Sequence, residues 1–234
     1  MKKIALTAAI LSTMAFGHDA WMQKSTNNEA IVYWGHLGKE LKTVDATKIE
    51  NIYGFDKNLK KAELKTQTKD QNTTLHLDKS IAMAYMQLKP SYKVVTPDGT
   101  KYGIGKREVK GQIVSSAKGV KYSKAIFEWN DKLAKPIGLP LEIVVLKNPF
   151  KAKVGEKLEI QTFQNSKPIG NLKLVVDGVH DENKTISTDA NGKALVLLDK
   201  KGLKLIATKK DSPLSGDLDA DTLSESANMA FVVK

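Results

Sequence analysis

Apolar and polar positions alternate in short runs along most of this chain, and the period is two rather than 3.6, which predicts strands. Glu29–His36, Glu-Ala-Ile-Val-Tyr-Trp-Gly-His, is β-branched and aromatic and reads as a strand, with Gly35 letting the backbone turn or come close to a ligand before His36. Leu37 to Ile49 is polar and reads as a loop. Asn51 to Asp56 is the next strand, and Ala62 to Lys69 alternates well enough to be its hairpin partner. In Thr73 to Leu77 the two leucines share a face, so His76 takes the other. Ile81 to Leu88 is nearly continuous in apolar character, Tyr92 to Thr96 extends it past Lys89-Pro90, and Pro97-Asp98-Gly99-Thr100 is a turn. Ile113 to Trp129 holds the one helical stretch, with Ser115 or Ser116 as cap and Gly119 and Val120 against it.

Lys135-Pro136-Ile137-Gly138-Leu139-Pro140 reads as a linker. Beyond it come strands at Leu141–Leu146, Lys157–Phe163, Leu172–Val176, Lys184–Ser187, Ala194–Leu198 and Leu203–Thr208. A hairpin turn of the Asn-Gly type lies at Thr188–Lys193, and a final strand at Met229–Val233. Turns every eight to twelve residues indicate an immunoglobulin-like sandwich. Asp177 to Asn183 is a polar loop with His180 solvated, and the acidic run Asp211 to Ser224 is expected to be mobile. The expected fold is all-β: two β-sandwich modules, residues 18–135 and 140–234, the second immunoglobulin-like, with at most one short helix.

The first seventeen residues break this pattern. Lys2 and Lys3 precede an apolar run from Ile4 to Phe16 that is too short to span a bilayer, and Ala15 and Gly17 are the small residues a signal peptidase selects. Cleavage after Gly17 leaves a 217-residue periplasmic protein beginning at His18. The chain has no cysteine, which excludes disulfides, thiolate metal sites and thiol nucleophiles. The net charge is +11, and removing Lys2 and Lys3 leaves 35 basic against 26 acidic residues, or +9. Arg107 is the single arginine and the lysines lie scattered among carboxylates, so nucleic acid is not an expected partner. A weak attraction to an anionic surface or an acidic partner stays open. No second apolar run is long enough to cross a membrane.

Exposure of His18 as the first residue changes its chemistry. A terminal amine and the imidazole Nδ1 of the same residue close a chelate ring on a metal, and a second imidazole makes a three-nitrogen site. His36 is the natural second ligand and His76 a third candidate, with Trp21 and Trp34 expected to shield the metal and fix the ligands. The competing reading is an exposed N-terminal histidine with no role. The chain carries no Gly-x-Ser-x-Gly, His-Glu-x-x-His, phosphate-binding glycine loop or dinucleotide fingerprint, so it is not read as an enzyme.

The ordered series His18-Asp19-Ala20-Trp21, Gly35-His36, Lys89-Pro90-Ser91-Tyr92, Thr96-Pro97-Asp98-Gly99, Tyr122-Ser123-Lys124-Ala125, Pro140–Val144, Asn148-Pro149-Phe150, Val154-Gly155, Lys167-Pro168 and Thr188–Gly192 resembles the DUF4198, NikM-like family of exported β-rich proteins. Ala20 departs from it: the family usually has an aromatic residue there, and alanine would loosen packing near the N-terminus. The resemblance implies a periplasmic component of nickel or cobalt uptake, passing Ni2+ or Co2+ to a membrane transporter subunit, with the N-terminal histidine as ligand. A bare nitrogen site prefers Cu2+ over both. Two alternatives follow: a copper-binding protein or histidine-brace oxidative enzyme, and a non-catalytic adhesion or scaffold module.

Overall fold

The computed structural model describes residues 18–69, 72–179 and 185–234. The expected leader and His180 lie outside these residues. The strands run β1 (Asp19–Thr26), β2 (Glu29–His36), β3 (Glu40–Thr43), β4 (Ile49–Phe55), β5 (Lys61–Ala62), β6 (Lys65–Lys69), β7 (Asn72–His76), β8 (Met83–Thr96), β9 (Gly99–Tyr102) and β10 (Ser115–Ile126). They continue with β11 (Glu142–Val145), β12 (Lys157–Gln164), β13 (Lys167–Pro168), β14 (Lys173–Val176), β15 (Ile186–Ser187), β16 (Lys193–Leu197), β17 (Gly202–Pro213) and β18 (Thr222–Val233). The only helical pieces among the described residues are three short 3-10 turns, so the fold is all-β as expected.

The strands form three sheets. The first, ordered β1-β2-β7-β6 with β3 also on β2, is N-terminal; the third, β11-β12-β13 with β16 also on β12, is C-terminal. Between them lies a nine-stranded sheet, β15-β14-β17-β18-β10-β8-β4-β5, with β9 on β8. Successive residues of its strands enter two different cores. Ala84, Met86, Ala125, Leu205 and Ala230 pack with Trp21, Val32 and Leu75 of the first sheet. Their neighbours Met83, Ile126, Ile206, Met229 and Phe231 pack with Ile143, Leu158, Ile160 and Val196 of the third. A sheet covered on both faces carries apolar side chains on both, which is why Ile81 to Leu88 lacks alternation.

The two sandwiches therefore share the central sheet. The chain crosses from central to third sheet at residues 135–140, where the linker was expected, but β18 returns to lie parallel to β10, from Ala117 opposite Thr222 to Ala125 opposite Ala230. Strands β11 to β18 still make four antiparallel strands on each side of their core, the immunoglobulin-like layout.

Four expectations are corrected. The helical stretch at 113–129 is strand β10, because flanking pairs with β8 and β18 satisfy its backbone on both edges and override helix propensity. Three residues of β8 advance for two of β10 between Leu88 and Ser91, a bulge that accommodates Pro90. Residues 37–49, read as loop, include β3. The acidic segment, read as mobile, is pinned: Asp217 accepts from Tyr92 Oη (3.1 Å) and Lys118 Nζ (3.2 Å), Asp219 pairs with Arg107 (2.6 Å), and Asp221 accepts from Ser116 Oγ (2.6 Å) and Lys106. The Thr188–Lys193 turn is present, with Gly192 at φ +79, but it carries the chain from the central sheet to the third instead of closing a hairpin.

A buried ion pair fixes the crossing. Lys124 of β10 and Glu142 of β11 are 2.5 Å apart and almost fully buried. The Glu142 carboxylate also accepts from Ile137 N (3.0 Å) and Leu139 N (3.3 Å), so one side chain holds the crossing segment to both sheets. Burial pulls the Lys124 ammonium below its ordinary range, with Glu142 opposing. Glu142→Ala would strand that ammonium and both backbone donors and should cost about 3–5 kcal/mol in urea unfolding. Lys124→Met leaves the carboxylate its backbone donors and should cost less; an equal or larger loss would refute this account.

Candidate functional site

The site is assembled by strand register. Asp19 pairs with Gly35 and Ala20 with Trp34, so His18, one residue before β1, falls opposite His36 at the end of β2. The two imidazole centroids are 4.7 Å apart, tilted by 35°. Trp34 stacks on His18 at 5.7 Å. Ala20, opposite Trp34, is fully buried, and its carbonyl accepts from Asn228 Nδ2 of β18 at 2.7 Å. The small residue therefore does not loosen the packing here: it lies within the core while the indole stacks on His18. Gly35 has φ +141, a conformation that favours glycine, directly opposite Asp19.

The backbone after His36 is braced from the C-terminal half. A Cβ on Gly178 would lie 3.4 Å from Leu37 N, and Gly178 itself is at φ +69. Asp177, at φ +54, holds that turn in place. Its Oδ1 accepts from Leu205 N (2.9 Å) and its Oδ2 from Lys204 Nζ (2.8 Å), with Lys204 wholly buried.

Two charged groups adjoin the histidines. Asp19 is 7% exposed, and burial pushes its carboxyl up to about 6, opposed by the charges of Lys121 and His36. Lys121 of β10 reaches over Trp34, with Nζ 5.3 Å from the ring centroid, and burial holds its ammonium below the ordinary range while Asp19 works against that.

Of the three predicted ligands, the fold brings together His18 and His36 and leaves His76 out. His76 is exposed and pairs with Glu29 at the opposite end of β2, seven residues from His36, or roughly 23 Å at 3.3 Å per residue. The reason is that on β2 the partners of β7 are the first residues, Glu29 to Ile31. Trp34 takes the expected place beside the histidines. Trp21 instead stacks on Tyr33 (5.8 Å) in the core, its Nε1 buried and without an acceptor among the described residues. Sequence reasoning missed Asp19 and Lys121; nothing but strand register could have found Lys121. Among the described residues no group of three or more His, Asp or Glu side chains is arranged to hold a metal. The side chains alone thus offer two imidazoles, a nearby carboxylate and an ammonium.

A separate cleft of about 720 Å³ opens at the other end of β1, lined by Met22 to Asn27, Phe127, Trp129, Phe150 and Leu203 among others. It is not part of the histidine site.

Fold and site define an all-β protein of stacked sandwiches with a histidine pair at the start of its first strand. The domain of unknown function DUF4198 matches residues 15–210, and the chain belongs to that family. No curated protein matches it. Solved structures similar to it include the D0-D1 domain of Intimin, at 12% identity, covering 92% of this chain and 99% of that one with a TM-score of 0.21, too loose a likeness to carry an inference.

The Asp19 carboxyl sets a pH dependence. Because its folded value lies above the unfolded 3.8, the stability it contributes is complete below pH 4 and is lost as pH rises through about 6. The loss is roughly 3 kcal/mol across that window. In metal-free protein, the stability of Asp19→Asn relative to the parent should therefore rise between pH 4 and 7, as read from paired urea titrations. A difference that stays flat with pH would mean that Asp19 ionises at no cost.

Proposed function

We propose that the protein is a periplasmic transition-metal-binding protein, for nickel or cobalt, that supports uptake of the ion by a membrane transporter. The observation that carries this reading is the side-by-side placement of His18 and His36. His18 stands where signal cleavage would give it a free amine. The amine and Nδ1 of His18 and one imidazole nitrogen of His36 then supply three donors from two residues. That ligand set suits nickel, cobalt and copper, with copper bound most tightly of the three when all are free. Selection of nickel or cobalt rests on which ion is delivered and on the transporter that receives it. Membership of the DUF4198 family is compatible with this role. No helix among the described residues is long and apolar enough to cross a membrane, so delivery calls for a separate membrane component.

Both imidazoles and the amine must be deprotonated to bind, so affinity should fall as pH is lowered from 8 to 5. The deciding experiment is calorimetric titration of nickel, cobalt and copper into protein beginning at His18, beside the same protein retaining Gly17. The form beginning at His18 should bind more tightly by at least about tenfold, the loss of one strong donor. Equal binding would place the site elsewhere. No binding by either form would favour the scaffold reading. Oxidised sugar products formed by the copper-loaded protein with a reductant would favour the oxidative enzyme.

A further inference from the structure

The cleft at the far end of β1 has no part in the histidine site and has the build of a strand acceptor. β1 is the last strand of the first sheet, so β2 lies on one of its edges and, among the described residues, no strand lies on the other. In an antiparallel pair the N–H and C=O of alternate residues point towards the partner, and those of the residues between point away. The Ala20 carbonyl is taken by Asn228 Nδ2 of β18, on the side away from β2. The same groups of Met22 and Lys24 therefore face away from β2 as well, since the register shifts only after Lys24. Both residues line the cleft, and its wall from Met22 to Asn27 is roughly 16 Å long at 3.3 Å per residue.

The floor is the end of the central sheet. Leu203 of β17 and Val232 of β18, a cross-strand pair, line it, with Val232 39% exposed, and the half-buried Phe127, Trp129 and Phe150 stand beside them. One more strand beside β1 would cover these side chains and satisfy the open backbone in a single step. The charged side chains of the lining are Lys24, Glu128 and Lys234. Glu128 is engaged by Lys57 at 2.7 Å, and among the described residues no carboxylate side chain pairs with either lysine. A lysine on an open edge rejects strands that would bury it unpaired and favours one that brings a carboxylate. We propose that the cleft is a peptide-binding site: it takes an extended, acidic segment of a partner protein as an added strand on β1, with apolar residues on Leu203 and Val232 and a carboxylate against Lys24. The proposal stands apart from the metal-binding reading.

The probe is a dye-labelled, end-blocked peptide of roughly eight residues, alternating valine and threonine with one threonine replaced by glutamate. It is titrated into the whole protein by fluorescence anisotropy. It should bind saturably, one peptide per protein, and shift the amide resonances of Met22 and Lys24. Methylating the backbone nitrogens of one alternate set should weaken binding by at least about tenfold, the worth of one or two hydrogen bonds, whereas methylating the other set should cost little, because only one edge of the peptide meets β1. A peptide with lysine for glutamate should bind several-fold more weakly, and Lys24→Glu should reverse that preference. Lys24 is partly exposed, so the variant should fold, and matched thermal unfolding checks this.

The proposal is wrong if the glutamate peptide shows no saturable binding at concentrations up to about 1 mM, or if its amide shifts fall away from β1. It is equally wrong if both methylated forms bind as the parent peptide does, because burial without strand pairing would then account for the affinity. An unchanged preference in Lys24→Glu would overturn the acidic partner. None of these outcomes bears on nickel binding at His18 and His36, which is measured separately.

Discussion

The central sheet has apolar side chains on both faces, and the rest of the molecule is arranged to cover them. Each strand sends alternate residues to opposite cores, Met83 and Ala84, Ile126 and Ala125, Met229 and Ala230, so neither face can be left open to water without exposing a row of core residues. Covering the first face is the task of the β1–β2 hairpin and the strands beside it. That task decides where the histidines go. With β1 tied to β18 through Asn228 and Ala20, and with Trp21 and Met22 sunk into the core, the start of β1 cannot move independently of the central sheet. The placement of His18 beside His36 is set by register and by packing some way along the strands. A site built this way is preorganised at the cost of buried apolar area, with no specific polar scaffold required.

Two buried ion pairs fix the course of the chain. Glu142 with Lys124 sits where the chain passes from the central to the third sheet, and Asp177 with Lys204 ties the turn after β14 to β17 within the central sheet. In both places a carboxylate accepts backbone N–H groups as well as an ammonium, so the ion pair satisfies donors that an apolar replacement would leave unpaired. Such pairs add little net stability compared with apolar packing, but they define which segment crosses where. The Asp177 turn shows the consequence for function: its neighbour Gly178 abuts the backbone of His36 and Leu37, so a residue more than 140 positions away in the chain limits how the second histidine can shift.

Much of this was legible in the sequence, and what was not has physical causes. β2 was read with its observed ends because its outer residues are polar and its inner ones apolar. The orientation of His76 followed from period-two logic, with Leu75 and Leu77 buried and His76 exposed. β10 was misread because a strand buried on both faces loses the alternation that marks strands, and Ser123 and Lys124 are polar residues buried by partners 105 and 18 positions away. The parallel return of β18 to β10 left no local trace, so the shared sheet could not be foreseen from a proline-rich linker. The pairing of His18 with His36 was proposed from chemistry and is met in the fold through register. Lys121 carries no sequence signal among so many lysines.

Under the proposed function, the position of His18 would tie chemistry to processing. While Gly17 is attached, the nitrogen of His18 is a peptide amide, and an amide nitrogen is a far weaker metal donor than an amine. The full-length precursor then presents two imidazoles with a carboxylate and an ammonium beside them, a set with two strong donors. Cleavage would add the third donor and also a positive charge on the free amine, which would have to be given up on binding. The gain is therefore largest where protons are scarce and a metal is present to replace them. On this reading the site is silent in the compartment where the chain is made and becomes competent after export. Under the proposed function, that order would keep a divalent-metal site from being filled before export.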